Sequence, residues 1–297
     1  MRVAIAQVDG KWPNLALAKL AAWHLSQGDD VERFMPLGEY DRVLASKVFT
    51  DTLDNPYLPS RITVQGGTGY GMYRTLADEV EASKPDWSLW PTWHDDIGYS
   101  TRGCSRCCEF CVVPKKDGPL RVVGEFGDIW TGRHVLHLID GNLTAAPVEH
   151  FRSVCEDATK AGCRLDFNQG LDARLLTDEH AAILRATRTA KSIHMAFDHV
   201  RHEGAVRAAI VTMQRAGWPA SRLMFYVLVG FDSTPEQDLY RVQLLRSLGA
   251  EPFVMPFKRD DPYQRRLARW VNNKVAFKAM TWEEWQATFK TRIEVTP

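Results

Sequence analysis

The chain has 297 residues and 33.7 kDa, and its 45% apolar and 25% charged content is that of a folded globular protein, which excludes a disordered or fibrous one. Net charge is zero, but residues 1–98 hold 9 basic and 14 acidic residues, whereas residues 252–280 hold 7 basic and 2 acidic, a hint of an anionic partner near the C-terminus. No apolar run approaches the ~18 residues of a membrane span, and Met1 to Gln7 turns polar too soon for a secretory segment, so no membrane contact and a cytoplasmic location are expected.

In chain order, Val3–Val8 reads as a buried strand, and Leu15–Leu25 as an Ala/Leu-rich helix that Gly28 closes. Asp41–Ser46 and Arg61–Gln65 read as two further strands. The second runs into Gly66-Gly67-Thr68-Gly69-Tyr70-Gly71, which would cradle a phosphate only with a helix directly after it; the spacing favours a tight turn. Residues 84–98, with Trp87, Trp90 and Trp93, read as a linker packed on both neighbours, and the domain boundary falls near residue 95. Beyond it, strands are expected near Ile97–Thr101 and at Val135–Ile139, Leu165–Asn168, Ile193–Asp198, Leu223–Val229 and Pro252–Phe257. Between them lie a helix from Pro147 to Gly162, one capped by Thr177, one ending at Gly217 and one with the capping-box pattern Thr234-Pro235-Glu236-Gln237. A last helix is expected over Arg265–Lys278. Strands alternating with helices at this spacing mean βαβ units and parallel sheets, so the class is α/β. Six strands in the second part are too few for a closed eight-fold barrel and suit an open one.

Four of the six cysteines lie in eight residues: Cys104, Cys107, Cys108 and Cys111. A secreted disulfide framework spreads its cysteines, so this packing points to a metal in a reducing compartment. Cys104, Cys108 and Cys111 form C-x3-C-x2-C, and three thiolates on one loop can hold three irons of a [4Fe–4S] cube with the fourth iron open. Zinc is the competing metal, but it favours two ligand pairs separated by a longer loop. Cys155 in a helix and Cys163 before a strand read as buried small apolar residues.

Gly98-Tyr99-Ser100-Thr101-Arg102-Gly103-Cys104 through Cys111-Val112-Val113-Pro114 resembles the signature of radical SAM enzymes, C-x3-C-x-aromatic-C, with Phe110 as the aromatic residue. The flanking Ser-Thr-Arg-Gly resembles the branch with an N-terminal cobalamin-binding or cobalamin-derived domain. The resemblance implies a truncated, Rossmann-like domain over 1–95, a partial (β/α)6 barrel over 96–257 and a C-terminal helical extension over 258–297. It implies a [4Fe–4S] cluster on Cys104, Cys108 and Cys111, S-adenosylmethionine at the open iron, and a protein reductant such as flavodoxin or ferredoxin. Cleavage of S-adenosylmethionine then gives a 5′-deoxyadenosyl radical that takes a hydrogen atom from substrate.

Residue by residue, the resemblance assigns cofactor contacts to Phe110, to the Asp140-Gly141-Asn142 turn, which departs from the family's Gly-Gly-Glu-like form, and to Arg174, Asp198 and Gly230. His194, Ala196 and Asp198 alternate with Ile193, Met195 and Phe197, so the first three should face the barrel interior. The cobalamin-ligating D-x-H-x-x-G pattern has no match: Asp9-Gly10-Lys11-Trp12-Pro13-Asn14 lacks the histidine and the closing glycine, so a histidine-ligated cobalamin is not expected. Arg265, Arg266 and Arg269 suggest a nucleotide or nucleic-acid substrate, on the expectation that their helix lies near the barrel mouth. Two other functions stand beside the leading one: a cobalamin-dependent radical SAM methyltransferase, and an iron–sulfur electron-transfer or binding protein that leaves S-adenosylmethionine intact.

Overall fold

A computed structural model describes residues 1–190 and 192–293. The chain opens with β1 (Arg2–Gln7), α1 (Leu15–Ser26), β2 (Asp30–Arg33), β3 (Arg42–Ser46) and β4 (Thr63–Gly66). The four strands form one parallel sheet in the order β2-β1-β3-β4. Asn14 caps α1 by accepting the Leu17 N–H at 3.1 Å, and Gly28 turns the chain out of it at φ 78°. Leu17 and Ala21 of α1 pack on Val3, Ile5 and Leu44, while Ala4, Ala6, Val43 and Ala45 on the opposite face meet Leu58 and Ile62. Strand β2 escapes sequence reading because Asp-Val-Glu-Arg is a short, half-exposed edge with no apolar alternation. No helix separates β3 from β4, so part of the α1-side face stays open and Val64 is exposed there. Because β2 and β3 lie on opposite sides of β1, a crevice opens at the carboxyl ends of β1 and β3.

After α2 (Asp78–Glu81), the tryptophan segment joins this sheet to the rest. Trp87 packs with Ala18 of α1 and with Ile97, Trp90 donates its indole N–H to Gln7 at 3.0 Å, and Trp93 meets Trp12 and His137. The segment therefore packs on both sides, as expected for a linker rich in large apolar side chains.

The remaining elements are β5 (Asp96–Gly98), β6 (Thr101–Arg102), α3 (Val113–Asp117), β7 (Arg121–Val122), α4 (Phe126–Ile129), β8 (Val135–Leu138), α5 (Val148–Lys160), β9 (Arg164–Phe167) and α6 (Asp178–Ala186). They continue with β10 (Ile193–Ala196), α7 (Glu203–Arg215), β11 (Leu223–Val229), α8 (Pro235–Ser247), β12 (Glu251–Pro256), α9 (Pro262–Val271), α10 (Lys274–Ala279) and α11 (Trp282–Ile293). Strands β5-β8-β9 and β10-β11-β12 make two parallel sheets. Backbone bonds from Leu165 N to Arg188 O (2.9 Å) and from Leu171 N to His194 O (2.8 Å) join them edge to edge, also in parallel. The fold is thus mixed α/β with parallel sheets, its strands following chain order with helical crossovers. β6 and β7 form a separate antiparallel pair beside the cysteine loop.

Alternation on these strands sorts the side chains. Leu165, Phe167, Ile193, Met195, Phe197, Phe225, Val227 and Val229 are buried under the helices in one continuous core. On β11, Met224, Tyr226 and Leu228 are only half-buried, because their face looks onto the concave side. Thr177 and Thr234 cap α6 and α8, with a full capping box at Thr234 and Gln237.

The single helix expected over 265–278 is instead α9 and α10. Asn272 leaves the helix to bond both backbone groups of Val254, and Asn273 caps α10. Helix α9 buries Leu267, Trp270 and Val271 in the helix-side core, so it covers β12 from outside. Arg265, Arg266 and Arg269 are exposed and line neither cavity described below. The last four residues of the 258–297 segment lie outside the described residues. No described helix is long and apolar enough to cross a membrane.

Candidate functional site

The cysteine loop leaves the parallel sheet after β5 and is pinned at both ends. Asp140, just past β8, accepts four hydrogen bonds on one carboxylate oxygen, from the backbone N–H and hydroxyl of Ser100 (3.0 and 3.1 Å) and of Thr101 (2.6 and 2.7 Å). Burial nonetheless pushes the Asp140 carboxyl up against the pull of these donors. Gly103 comes next at φ 81°, where a Cβ would lie 2.2 Å from the Pro119 carbonyl oxygen, so only glycine lets the loop pass there. Gly141 is equally confined, since its Cβ would meet Val113 at 2.8 Å and the Gly103 carbonyl at 2.9 Å.

Cys104, Cys108 and Cys111 line one cavity of about 360 Å³, together with Phe110, Gly141, Asn142, Arg174 and Asp198. Cys107 is exposed and lies outside its lining. Among the described residues, no three His, Cys, Asp or Glu side chains are gathered closely enough to form a preassembled metal site. Two donors already reach the Cys104 sulfur: the Arg106 N–H at 3.3 Å and the Asn142 side-chain amide at 3.5 Å. Burial raises the Cys111 thiol, and the neighbouring Cys108 and Cys104 add to the shift. The Phe110 ring stacks edge-on against Phe231 at 5.4 Å, and Phe231 against Phe257 at 4.9 Å.

The remaining sequence-predicted residues divide. The buried Asn142 turns its amide nitrogen to Cys104 and leaves its oxygen without a partner. The Arg174 fork grips Asp172 in two bonds of 2.7 and 2.9 Å, and Arg106 adds a third at 3.2 Å. Burial pushes Asp172 up, but Arg174 and then Arg106 more than offset it, so its carboxyl sits below the usual range. Asp198 lies on the cavity side of β10 with Ala196, while Ile193, Met195 and Phe197 face the core; burial pushes the Asp198 carboxyl up. Asp140 acts from behind the cavity wall and is not part of its lining. Gly230 is not brought to the cavity: it sits under Gln264, whose amide occupies the place of a Cβ, and its N–H donates to Asp238 at 3.1 Å. His202, in the segment after β10, also lines the cavity; burial, then Arg174, Arg201 and His199, pushes it down to about 4, so it is neutral at pH 7.

A larger cavity of about 1330 Å³ adjoins this one and shares Tyr99, Arg102, Lys116, Ile139 and Gln169 with it. It reaches the crevice at the carboxyl ends of β1 and β3. Its single histidine, His24, is buried in α1 with Nδ1 held by Asp29 at 2.6 Å, and Lys11 stands where a cobalamin-ligating histidine would. Asp9 spends its carboxylate on the Val48 and Phe49 N–H groups, both at 2.8 Å. These residues do not fit a cobalamin held by a protein histidine.

Several residues at the junction carry no sequence signal, because their partners are far away in the chain. Glu81 accepts from Lys19 (2.7 Å), from Arg102 (3.4 Å) and from the Tyr99 hydroxyl, and Asp117 holds Arg102 at 2.7 and 3.1 Å. Lys116 donates to Thr68 at 2.8 Å. Deeper on the concave face, His137 sits between Asp166 (Nδ1, 2.7 Å) and Asp95 (Nε2, 2.9 Å), with the Trp12 ring 4.5 Å away. The chain matches no protein-family model, and no curated protein matches it significantly.

Proposed function

We propose that the chain is a radical SAM enzyme whose parallel strands from β5 to β12 form an open (β/α)6 barrel. The observation that carries this reading is the convergence of Cys104, Cys108 and Cys111, spaced x3 and x2 on the loop after the first barrel strand, on one cavity with Phe110, Asn142, Arg174 and Asp198. The three cysteines would hold a [4Fe–4S] cluster that closes the site as it binds, as metal sites coupled to local folding do. When bound with S-adenosylmethionine, and with an electron from a flavodoxin- or ferredoxin-type protein, the cluster supplies a 5′-deoxyadenosyl radical for hydrogen abstraction.

The chain's own residues then bind, orient and exclude water. The orphaned oxygen of Asn142 is an acceptor for an ammonium group beside Cys104. Arg174, held by Asp172, keeps a guanidinium edge at the cavity for a carboxylate. Asp198 offers a carboxyl to ribose hydroxyls. Phe110, Val113, Ile139 and Leu171 give the apolar wall that keeps water from a reactive intermediate. The donors on Cys104 tune a bound cluster through its sulfur.

Replacing each cysteine by alanine tests the ligand assignment. After anaerobic reconstitution, Cys107→Ala should keep about four irons per chain, and Cys104→Ala, Cys108→Ala and Cys111→Ala should each lose the cluster's visible absorption. Loss of iron in Cys107→Ala with retention in Cys108→Ala would refute the assignment.

A further inference from the structure

The larger cavity does not fit a histidine-ligated cobalamin, and its lining indicates what kind of ligand it would take instead. Lys116 is half-buried at the junction of the two cavities. Its ammonium meets the Thr68 hydroxyl, and among the described residues no carboxylate lies within ion-pair distance of it, since the adjacent Asp117 is held by Arg102. A half-buried cation that bonds a hydroxyl and has no carboxylate at ion-pair distance can take an anionic ligand. The side-chain amides of Asn168 and Gln169 also line this cavity, and neither bonds to another described residue. Paired amides with free donors and acceptors read the edge of a polar heterocycle. Trp12 lines the same space, braced by Trp93 at 5.2 Å and His137 at 4.5 Å, and provides a rigid face for a planar ring.

We propose that the cavity between the N-terminal sheet and the cysteine site binds a nucleoside monophosphate as substrate, with the phosphate at Lys116 and Thr68 and the base at Trp12, Asn168 and Gln169. Its role as substrate rests on the radical SAM reading; the binding itself does not. A single nucleotide fits better than a polymer, because residues 1–98, which form one wall, carry 14 acidic against 9 basic residues and repel a long polyanion.

Isothermal titration of the reconstituted full-length protein tests this, with AMP, GMP, CMP and UMP, their four nucleosides and a single-stranded oligonucleotide as probes. At least one monophosphate should bind tenfold or more tightly than its nucleoside. Lys116→Ala should erase that difference, Lys116→Arg should keep most of it, and Thr68→Val should reduce it. Trp12→Ala should weaken nucleotide and nucleoside by the same factor. The proposal fails if no monophosphate binds at about 1 mM, if Lys116→Ala and Thr68→Val bind the nucleotide as the wild type does, or if the oligonucleotide binds more tightly than every monophosphate. Formation of 5′-deoxyadenosine from S-adenosylmethionine, read on the same preparation without nucleotide, separates this failure from failure of the radical SAM reading.

Discussion

Asp172 organises the cysteine cavity at the residue scale. It gathers Arg106, Arg174 and, at 3.4 Å, Asn142, and so ties the cysteine loop to the turns after β8 and β9. Its folded carboxyl sits below the unfolded value, so its contribution to stability is present above about pH 4 and is lost as pH falls through the lower, folded value. Asp172→Asn should therefore cost about 1–3 kcal/mol at pH 7, and the gap to wild type should close as pH drops below about 4. Urea unfolding at a series of pH values measures this, and a gap that stays constant with pH would contradict it. Arg174 enters the sequence reading only as a cofactor contact implied by the resemblance; in the structure its guanidinium grips Asp172. Asp172, two residues earlier, carries no sequence signal, because nothing in a linear pattern reveals that Arg106, Asn142 and Arg174 converge on it.

Helices and strands were legible where caps and apolar periods coincide. Thr177, Thr234 and Gln237 mark their helices in sequence as in space, and β11 matches its expected span. The misses have local causes. β2 lacks a buried face, and α9 and α10 look like one amphipathic helix because asparagine is tolerated within a helix. The break forms because Asn272 offers β12 a donor at 3.0 Å and an acceptor at 2.8 Å, completing the Val254 backbone at the sheet's edge. Asn272→Ala should leave both groups of Val254 unpaired and destabilise the chain by about 2 kcal/mol. Hydrogen exchange should then quicken at Val254, while the β5-β8-β9 sheet keeps its protection; unchanged exchange at Val254 would contradict this account of the break.

At the scale of the whole molecule, the N-terminal sheet and the cysteine site are fastened through Glu81. Burial pushes the Tyr99 hydroxyl far up, so it stays protonated and donates to Glu81, while Lys19 and Arg102 lie against the Tyr99 ring at 5.3 and 5.1 Å. Glu81→Ala would leave Lys19 buried without its carboxylate, at a cost of roughly 2–3 kcal/mol. Chemical denaturation checks this, and a change below about 0.5 kcal/mol would mean that the cluster is only a surface ion pair. None of this network was legible in the sequence, since its members are spread over residues 19 to 117 and each reads singly as an ordinary surface residue. The cysteine spacing, by contrast, was legible at once, because Cys104, Cys108 and Cys111 lie on one short loop. The central claim stands on that loop, and one measurement tests it most directly: anaerobic incubation of the reconstituted protein with S-adenosylmethionine and dithionite, followed by assay for 5′-deoxyadenosine. The account predicts its formation by the wild type and none by Cys108→Ala; a wild-type protein that holds its cluster and leaves S-adenosylmethionine intact would contradict it.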